Sequence, residues 1–306
     1  MVTHSPHTAP LRGNKATAEA WMAGEASRRS CVRRRLGTVA VYALIILALV
    51  VLAIPIAWML STAFKPLSEV FDIPPHWIPH QPTWANFIKQ FSPQLRRIFF
   101  NSVVVATGSV LLSTFIGTLT AYAISRFRFR GANLVLMFFM ASLGFPIPLL
   151  VITIYVMFLK VNLLNTYTAL ILGHTVITLP VAVWLLKNFF DTLPIEVEEA
   201  AFVDGASHLY TLFRIVMPMA RPALAATAIF VFVTSWNEFV FGLTFTANND
   251  MRPLPPGIAL MFLQDFEAAW SGMMALATMV TLPVLLLFVF FQKAFMRGVT
   301  AGAVKG

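Results

Sequence analysis

The sequence predicts an all-α membrane protein in which six transmembrane helices cross the bilayer and both termini stay on the cytoplasmic side. Three observations point to it. Hydrophobic residues make up 58% of the 306-residue chain and charged residues only 11%, with a mean hydropathy of +0.77, more apolar surface than a soluble domain has use for. The apolar residues gather into stretches long enough to cross roughly 30 Å of hydrocarbon. The basic residues behind the net charge of +9 sit at the ends of those stretches. That is the pattern of membrane topology rather than the single basic face of a nucleic-acid binder.

Residues 1–37, rich in Ala, Ser, Thr, His and Arg and without apolar period, read as a mobile basic cytoplasmic tail. Arg28, Arg29, Arg33, Arg34 and Arg35 hold the start of the first span inside. The apolar run that follows is too long for a signal peptide and has no small-residue cleavage site. Cys31 is the only cysteine, which excludes a disulfide framework and a thiolate metal site. The first span covers residues 39–64, with Pro55 inside it. An extracytoplasmic connection then completes the segment 38–96. Its prolines, among them Pro66, Pro74, Pro75, Pro79 and Pro82, exclude a long helix, and Trp77, Trp84, Phe87 and Phe91 suit an interface.

The membrane core occupies residues 97–295. Its second span, 99–125, ends in Arg126, Arg128 and Arg130, which mark a short cytoplasmic turn closed by Gly131. The third, 133–159, contains Gly144, Pro146 and Pro148, so a broken helix is expected. Such a break lines a cavity or is satisfied by packing. The fourth, 166–190, carries His174, a residue that more commonly hydrogen-bonds a neighbouring helix than relays protons. The fifth, 222–245, holds Trp236-Asn237-Glu238-Phe239. A carboxylate is costly in hydrocarbon, which makes Glu238 a functional candidate, with pairing to a neighbour as the alternative. Residues 246–270 form an external loop with Asn249, Asp250, Pro255 and Gly257. The sixth span, 272–295, contains Pro283 and leads into a cytoplasmic tail, 296–306.

Between the fourth and fifth spans lies the longest polar interruption of the C-terminal half. Pro194 fits a first helical position, with Asp191 or Thr192 as cap. Glu196, Glu198 and Glu199 suit the positive end of a helix dipole, and Gly205 a left-handed stop. Ser207 can cap a second short helix whose Leu209, Leu212, Phe213 and Val216 share one face, and Pro218 ends it. The pattern Glu199-Ala200-Ala201, three residues, Gly205, nine residues, Ile215, then Met217-Pro218 resembles the EAA motif of the permease subunits of binding-protein-dependent ABC importers. Met217 stands where that motif usually has Leu, a volume-conserving exchange. Pro82-Thr83-Trp84-Ala85-Asn86-Phe87, the span exit from Ala121 to Phe127 and the Trp236 to Phe239 run resemble the same family. The end of the chain from Arg297 to Gly306 resembles its maltose-type, carbohydrate-uptake branch.

The resemblance implies a type I ABC importer permease fold in a bacterial inner membrane. It also implies a coupling loop, about residues 191–220, in which Glu198, Glu199, Ala200, Ala201, Asp204, Gly205 and Pro218 engage a cytoplasmic ATPase. Pro146, Pro148, Asn237 and Glu238 become pathway or gating candidates, and Asn249, Asp250, Pro255 and Gly257 candidates for contact with a binding protein. Lys305 and Gly306 would reach the ATPase pair. The implied partners are a different second permease chain, two ATPase subunits, an extracytoplasmic solute-binding protein, a carbohydrate and lipid.

The chain has no G-x-x-x-x-G-K-[ST] phosphate loop, no H-E-x-x-H and no His or Cys cluster at metal spacing. A transport subunit rather than an enzyme is expected, without a cofactor of its own, ATP and Mg being bound by the partner ATPases. Two other readings stay open: a permease for a non-sugar solute, which would share the EAA loop, and a gradient-driven carrier using Glu238 or His174.

Overall fold

The computed structural model describes the backbone of residues 14–127, 129–262 and 270–303, and side chains over 37–127, 129–262 and 270–292. Arg128, Lys305 and Gly306 lie outside the described residues. The chain forms two units, Met1–Met59 and Leu60–Gly306.

In the first unit the backbone is already helical at Asn14, the start of α1 (Asn14–Ala63). Composition predicts no helix before residue 38. Ala16, Ala18, Ala20, Ala23 and Ala26, interleaved with straight-chain residues and free of proline until Pro55, give that stretch high helix propensity without any apolar stripe.

The second unit opens on a compact connection with two short helices, α2 (Leu67–Val70) and α3 (Ala85–Gln90). Proline forbids longer ones, so side chains complete the backbone pairing. Asn86 Nδ2 donates to the carbonyls of Ala63 and Lys65, each at 2.8 Å, and the Glu69 carboxylate accepts from the amides of His80 and Gln81 at 3.0 Å. Next comes α4 (Pro93–Arg126), which starts earlier than its apolar run because Ser92 Oγ accepts from Leu95 N and Pro93 fits the first turn.

The expected break of the third span is present. Helices α5 (Ala132–Ser142) and α6 (Ile147–Lys160) are bent by 103°. Pro146 is the extended residue before α6 and Pro148 lies in its first turn. Leu143, Gly144 and Phe145 donate to carbonyls three residues back, so the break keeps its amides paired. Thr166 caps α7 (Tyr167–Phe190) by accepting from Ala169 N at 3.2 Å.

The polar interruption folds as α8 (Glu196–Val203), α9 (His208–Thr211), a π-helical turn (Leu212–Val216) and α10 (Met217–Met219). After a bend of 82° comes α11 (Arg221–Trp236). Continuous helix is expected over 222–245, but α11 stops at Trp236 and α12 (Val240–Phe245) follows. The expected loop 246–270 also holds a helix, α13 (Leu254–Phe262), with Pro255 and Pro256 in its first turn, where no backbone N–H is needed. Finally α14 (Trp270–Ala303) carries helix past the sixth span and through most of the stretch expected as a tail. Among the described residues four helices are long and apolar enough to cross a membrane, or up to six if each bent pair is one span.

The core forms where α4, α7, α11 and α14 meet. Ala121, Leu186, Phe190, Leu212 and Val216 cluster at one end of α4 and α7. Ile98, Ala106, Trp236, Leu254 and Leu276 cluster near the other end of α4. Close approach depends on small residues, as expected for helices packed without a hydrophobic driving force between them. A Cβ at Gly173 would lie 2.9 Å from both Phe241 Cδ1 and Phe245 Cε2, so only glycine lets α12 seat on α7.

Gly173→Val is therefore expected to destabilise the purified protein by about 1–3 kcal/mol through overpacking, read as a lower unfolding midpoint in detergent. An unchanged midpoint would mean that α12 is free to move off α7.

Candidate functional site

The helical peg from Glu196 to Met219 is built as the sequence anticipates at its turn and differently at its ends. Gly205 has φ +84°, a left-handed conformation that L side chains avoid. Its amide donates to the Phe202 carbonyl at 3.0 Å and the Ala206 amide to the Ala201 carbonyl at 2.9 Å, the paired bonds of a Schellman stop. Nothing lies within 4 Å of a Cβ built there, so the demand for glycine is conformational rather than steric. Ser207 Oγ accepts from Tyr210 N at 3.3 Å and caps α9 as expected.

Asp191 and Thr192 do not cap α8. Asp191 accepts from Ser125 Oγ and Lys187 Nζ, both at 2.6 Å, and Thr192 Oγ1 donates to the Phe189 carbonyl at 2.7 Å. The first turn of α8 closes on the Ile195 carbonyl instead, which accepts from Glu198 N and Glu199 N at 3.0 Å. Pro218 does not end the second helix either. It sits within α10, and the wider π turn before it supplies the room its ring needs, so the break falls at Ala220. The same turn splits the expected apolar face: Leu212 and Val216 are buried, Leu209 and Phe213 exposed.

Glu199, Ala200, Asp204, Gly205 and Pro218 face outward, and Ala201 is buried beneath them. Exposed apolar side chains stand among them, Val203 at 87% and Leu209 at 63%. Between the two helices is an open concavity of about 610 Å³ lined by Ala201, Asp204, Gly205, Ala206, Ser207, Tyr210 and Ile215. A mixed acidic and apolar patch of this kind is suited to binding a protein surface. Among the described residues no group of three or more His, Cys, Asp or Glu could hold a metal ion.

Glu198 does not join that surface. It is 3% exposed and its carboxylate accepts from Tyr122 OH at 2.9 Å and from Arg126 Nε at 2.6 Å. Arg126 also donates through Nη2 to the carbonyls of Phe190 and Leu193, at 2.9 and 3.4 Å, and through Nη1 to Ser125 Oγ at 3.0 Å. A buried carboxylate is tolerated when a guanidinium and further donors surround it. Sequence reasoning gave Arg126 only a topological role. The available signal was Tyr122 and Arg126 one turn apart on α4, both donors on the same helix face.

The remaining candidates are not brought to the peg. Glu238 caps the second half of the fifth span: its carboxylate accepts from the amides of Val240, Phe241 and Gly242 at 2.8, 3.0 and 3.1 Å. Its Oε2 lies 3.3 Å from Nε2 of His174, which is wholly buried on α7. Asn237 Nδ2 donates to the Val233 carbonyl at 2.8 Å and so finishes α11. Pro146 and Pro148 are exposed at the α5–α6 break. Asn101 Nδ2 donates to the carbonyls of Asp250 and Arg252, both at 2.9 Å, and fixes the segment after α12 to α4. The Asp250 side chain is exposed, whereas Asn249 Oδ1 is occupied by Arg252 Nη1 at 2.7 Å. Pro255 is half-buried. Gly257 is buried against Ile98, turned away from any outside partner.

Residues 113–301, more than half of the chain, match the model of the binding-protein-dependent transport system inner membrane component family. The sulfoquinovosyl glycerol transport system permease protein SmoH of Agrobacterium fabrum is 38% identical over 253 residues, covering 82% of this chain and 88% of that protein. The trehalose/maltose transport system permease protein MalG of Thermococcus litoralis is 35% identical over 264 residues, covering 85% of this chain and 94% of that protein. A crystal structure of a bacterial ABC transporter that imports the acidic polysaccharide alginate shares the fold. Its TM-score is 0.72 at 22% identity, over 86% of this chain and 97% of the matched one. The long apolar helices, the broken spans and the sequence match agree, and the chain belongs to the binding-protein-dependent transport system inner membrane component family, the membrane permease subunits of ABC importers.

Proposed function

We propose that the chain is the transmembrane permease subunit of an ATP-driven, binding-protein-dependent carbohydrate importer, forming half of the translocation pore with a different permease chain as the other half. The observation that carries this reading is the peg: two short helices reversed at Gly205, packed on the bundle by one face and presenting Val203, Leu209 and an acidic rim on the other. On a lone membrane chain such a surface has no use. Placed in a cleft on a cytoplasmic ATPase, it transmits displacement to the spans beside it. Basic residues at the N-terminal tail, the α4–α5 turn and the C-terminal end support a topology with both termini and the peg inside.

Glu199, Ala200, Asp204, Gly205 and Tyr210 form the face offered to the ATPase. Two ATPase subunits bind and hydrolyse ATP with Mg, and this chain adds no cofactor. An extracytoplasmic binding protein delivers the solute near Asp250 and the α12–α13 segment, and the Lys305–Gly306 end reaches the ATPases. Carbohydrate is the substrate class because two relatives that match over most of this chain are named for sulfoquinovosyl glycerol and for trehalose and maltose. Nucleotide binding biases two arrangements of the bundle, one open to each side.

Three outcomes are expected. Affinity purification of the tagged chain from its own host in mild detergent, with mass spectrometry of the eluate, should yield an ATPase and a second six-span permease. Recovery of the chain alone or only with itself would favour a gradient-driven carrier. Glu199→Lys and Gly205→Val should abolish uptake while leaving membrane insertion intact, the latter because a β-branched residue in the left-handed region costs about 1–2 kcal/mol. Normal uptake by either would sink the coupling role. Glu238→Gln keeps one acceptor for the α12 amides and should lower uptake modestly. Glu238→Leu leaves the buried amides of Phe241 and Gly242 and the part-buried amide of Val240 unpaired, a loss of about 1–3 kcal/mol or more, and should reduce the yield of assembled complex.

A further inference from the structure

We infer that the Glu198–Arg126–Tyr122 cluster locks α8 to α4 as one rigid body, so that α4 rather than the chain-adjacent α11 is the lever moved by the peg, with the bend at Ala220 as the joint that flexes. The inference rests on the coupling role proposed for α8.

Connectivity alone would send a push on α8 into α7 and α11, its neighbours along the chain. Side chains route it into α4, with the end of α7 held to the same group. Glu198 points inward, and both its oxygens are held by α4, one by the Tyr122 hydroxyl and one by Arg126 Nε. The same guanidinium grips the Phe190 and Leu193 carbonyls at the end of α7, so three elements converge on one planar group. A planar guanidinium that holds a carboxylate and backbone carbonyls at once fixes angle as well as distance. Beside it, Ser125 of α4 donates to Asp191, which also accepts from Lys187 of α7.

An aromatic path closes the same loop from the other side. Tyr122 packs edge-on to Phe127 with centroids 6.1 Å apart, Phe127 to His208 at 5.0 Å, and His208 to Phe202 on α8 at 4.6 Å. Both helices of the peg are thus tied to the last turn of α4. Towards α11 the connection differs. The π turn and the 82° bend interrupt the helix, and Leu212, Val216, Ala220 and Ala223 meet α4 and α7 through apolar contacts. Apolar side chains slide past one another, while a largely buried ion pair at 2.6 Å, with the carboxylate's other oxygen held by Tyr122, keeps its register until it breaks. Arg126 and Tyr122 are accordingly positioning residues for the ATP-driven step, acting through Glu198 and not by touching the ATPase.

The test uses the whole complex, purified from its host and reconstituted in liposomes, with Cys31 replaced by Ser. Spin labels at Glu196 on α8 and Leu111 on α4 should give the same distance distribution with and without ATP plus vanadate. Labels at Glu196 and Val233 on α11 should give a changed one. In Arg126→Gln and Glu198→Gln the first distribution should broaden and shift. ATPase stimulation by the co-purified binding protein should fall about tenfold, within the usual range for coupled sites, with basal hydrolysis retained. The exchange Arg126→Glu with Glu198→Arg should restore part of the stimulation.

An α4–α8 distance that changes in the unsubstituted complex as much as the α8–α11 distance would overturn the inference, and that measurement does not depend on any variant folding. Full stimulation in Arg126→Gln and Glu198→Gln would overturn it as well. If instead no ATPase accompanies the unsubstituted chain, the proposed function fails before the lock is tested.

Discussion

Hydrocarbon offers no hydrogen-bond partner, so backbone amides and carbonyls freed within it must be satisfied by the protein itself. That constraint explains where the few polar side chains of this chain are placed. At three interruptions of the helices a side chain pairs the freed atoms. Glu238 serves three amides at the start of α12, Arg126 two carbonyls at the end of α7, and Asn101 two carbonyls of the segment after α12. At the α5–α6 break local three-residue bonds do the same work without a side chain.

These pairings determine which parts of the bundle move together. A charged side chain holding backbone atoms of another element joins the two with direction as well as strength, whereas glycine-lined apolar seams permit displacement along their length. Around the peg the polar ties run to α4 and α7, and the apolar contacts involve the helix leading to α11. Near Glu238 the tie runs across to His174 on α7, with Phe241 and Phe245 packed over Gly173. A permease that alternates between two arrangements requires such a division into joined and sliding contacts.

The acidic residues illustrate how position changes meaning. Glu198 and Glu199 are adjacent and equivalent in composition, yet one lies against Tyr122 and Arg126 and the other faces outward. Neighbouring positions on a helix differ by about 100° in direction, with 3.6 residues per turn, so a helix lying on a bundle can bury one of two consecutive residues and expose the next. Only the outward one is available to a partner, and the inward one sets the peg's orientation.

The sequence by itself determined the membrane class, the location of the long helices, the break at Gly144 to Pro148, and the reversal at Gly205. Each follows from local chemistry: apolar length, proline without an N–H, and glycine's access to positive φ. Only the tertiary structure decided the partners of Arg126, the caps at Glu238 and Asn101, and the π turn that carries Pro218 inside a helix. The pairings join residues far apart in the chain, Asn101 to Asp250 and Tyr122 to Glu198, and no local pattern specifies which carboxylate a distant guanidinium meets. The early helix shows the converse: Ala-rich propensity suffices for helix without an apolar period, so periodicity alone could not mark where α1 begins.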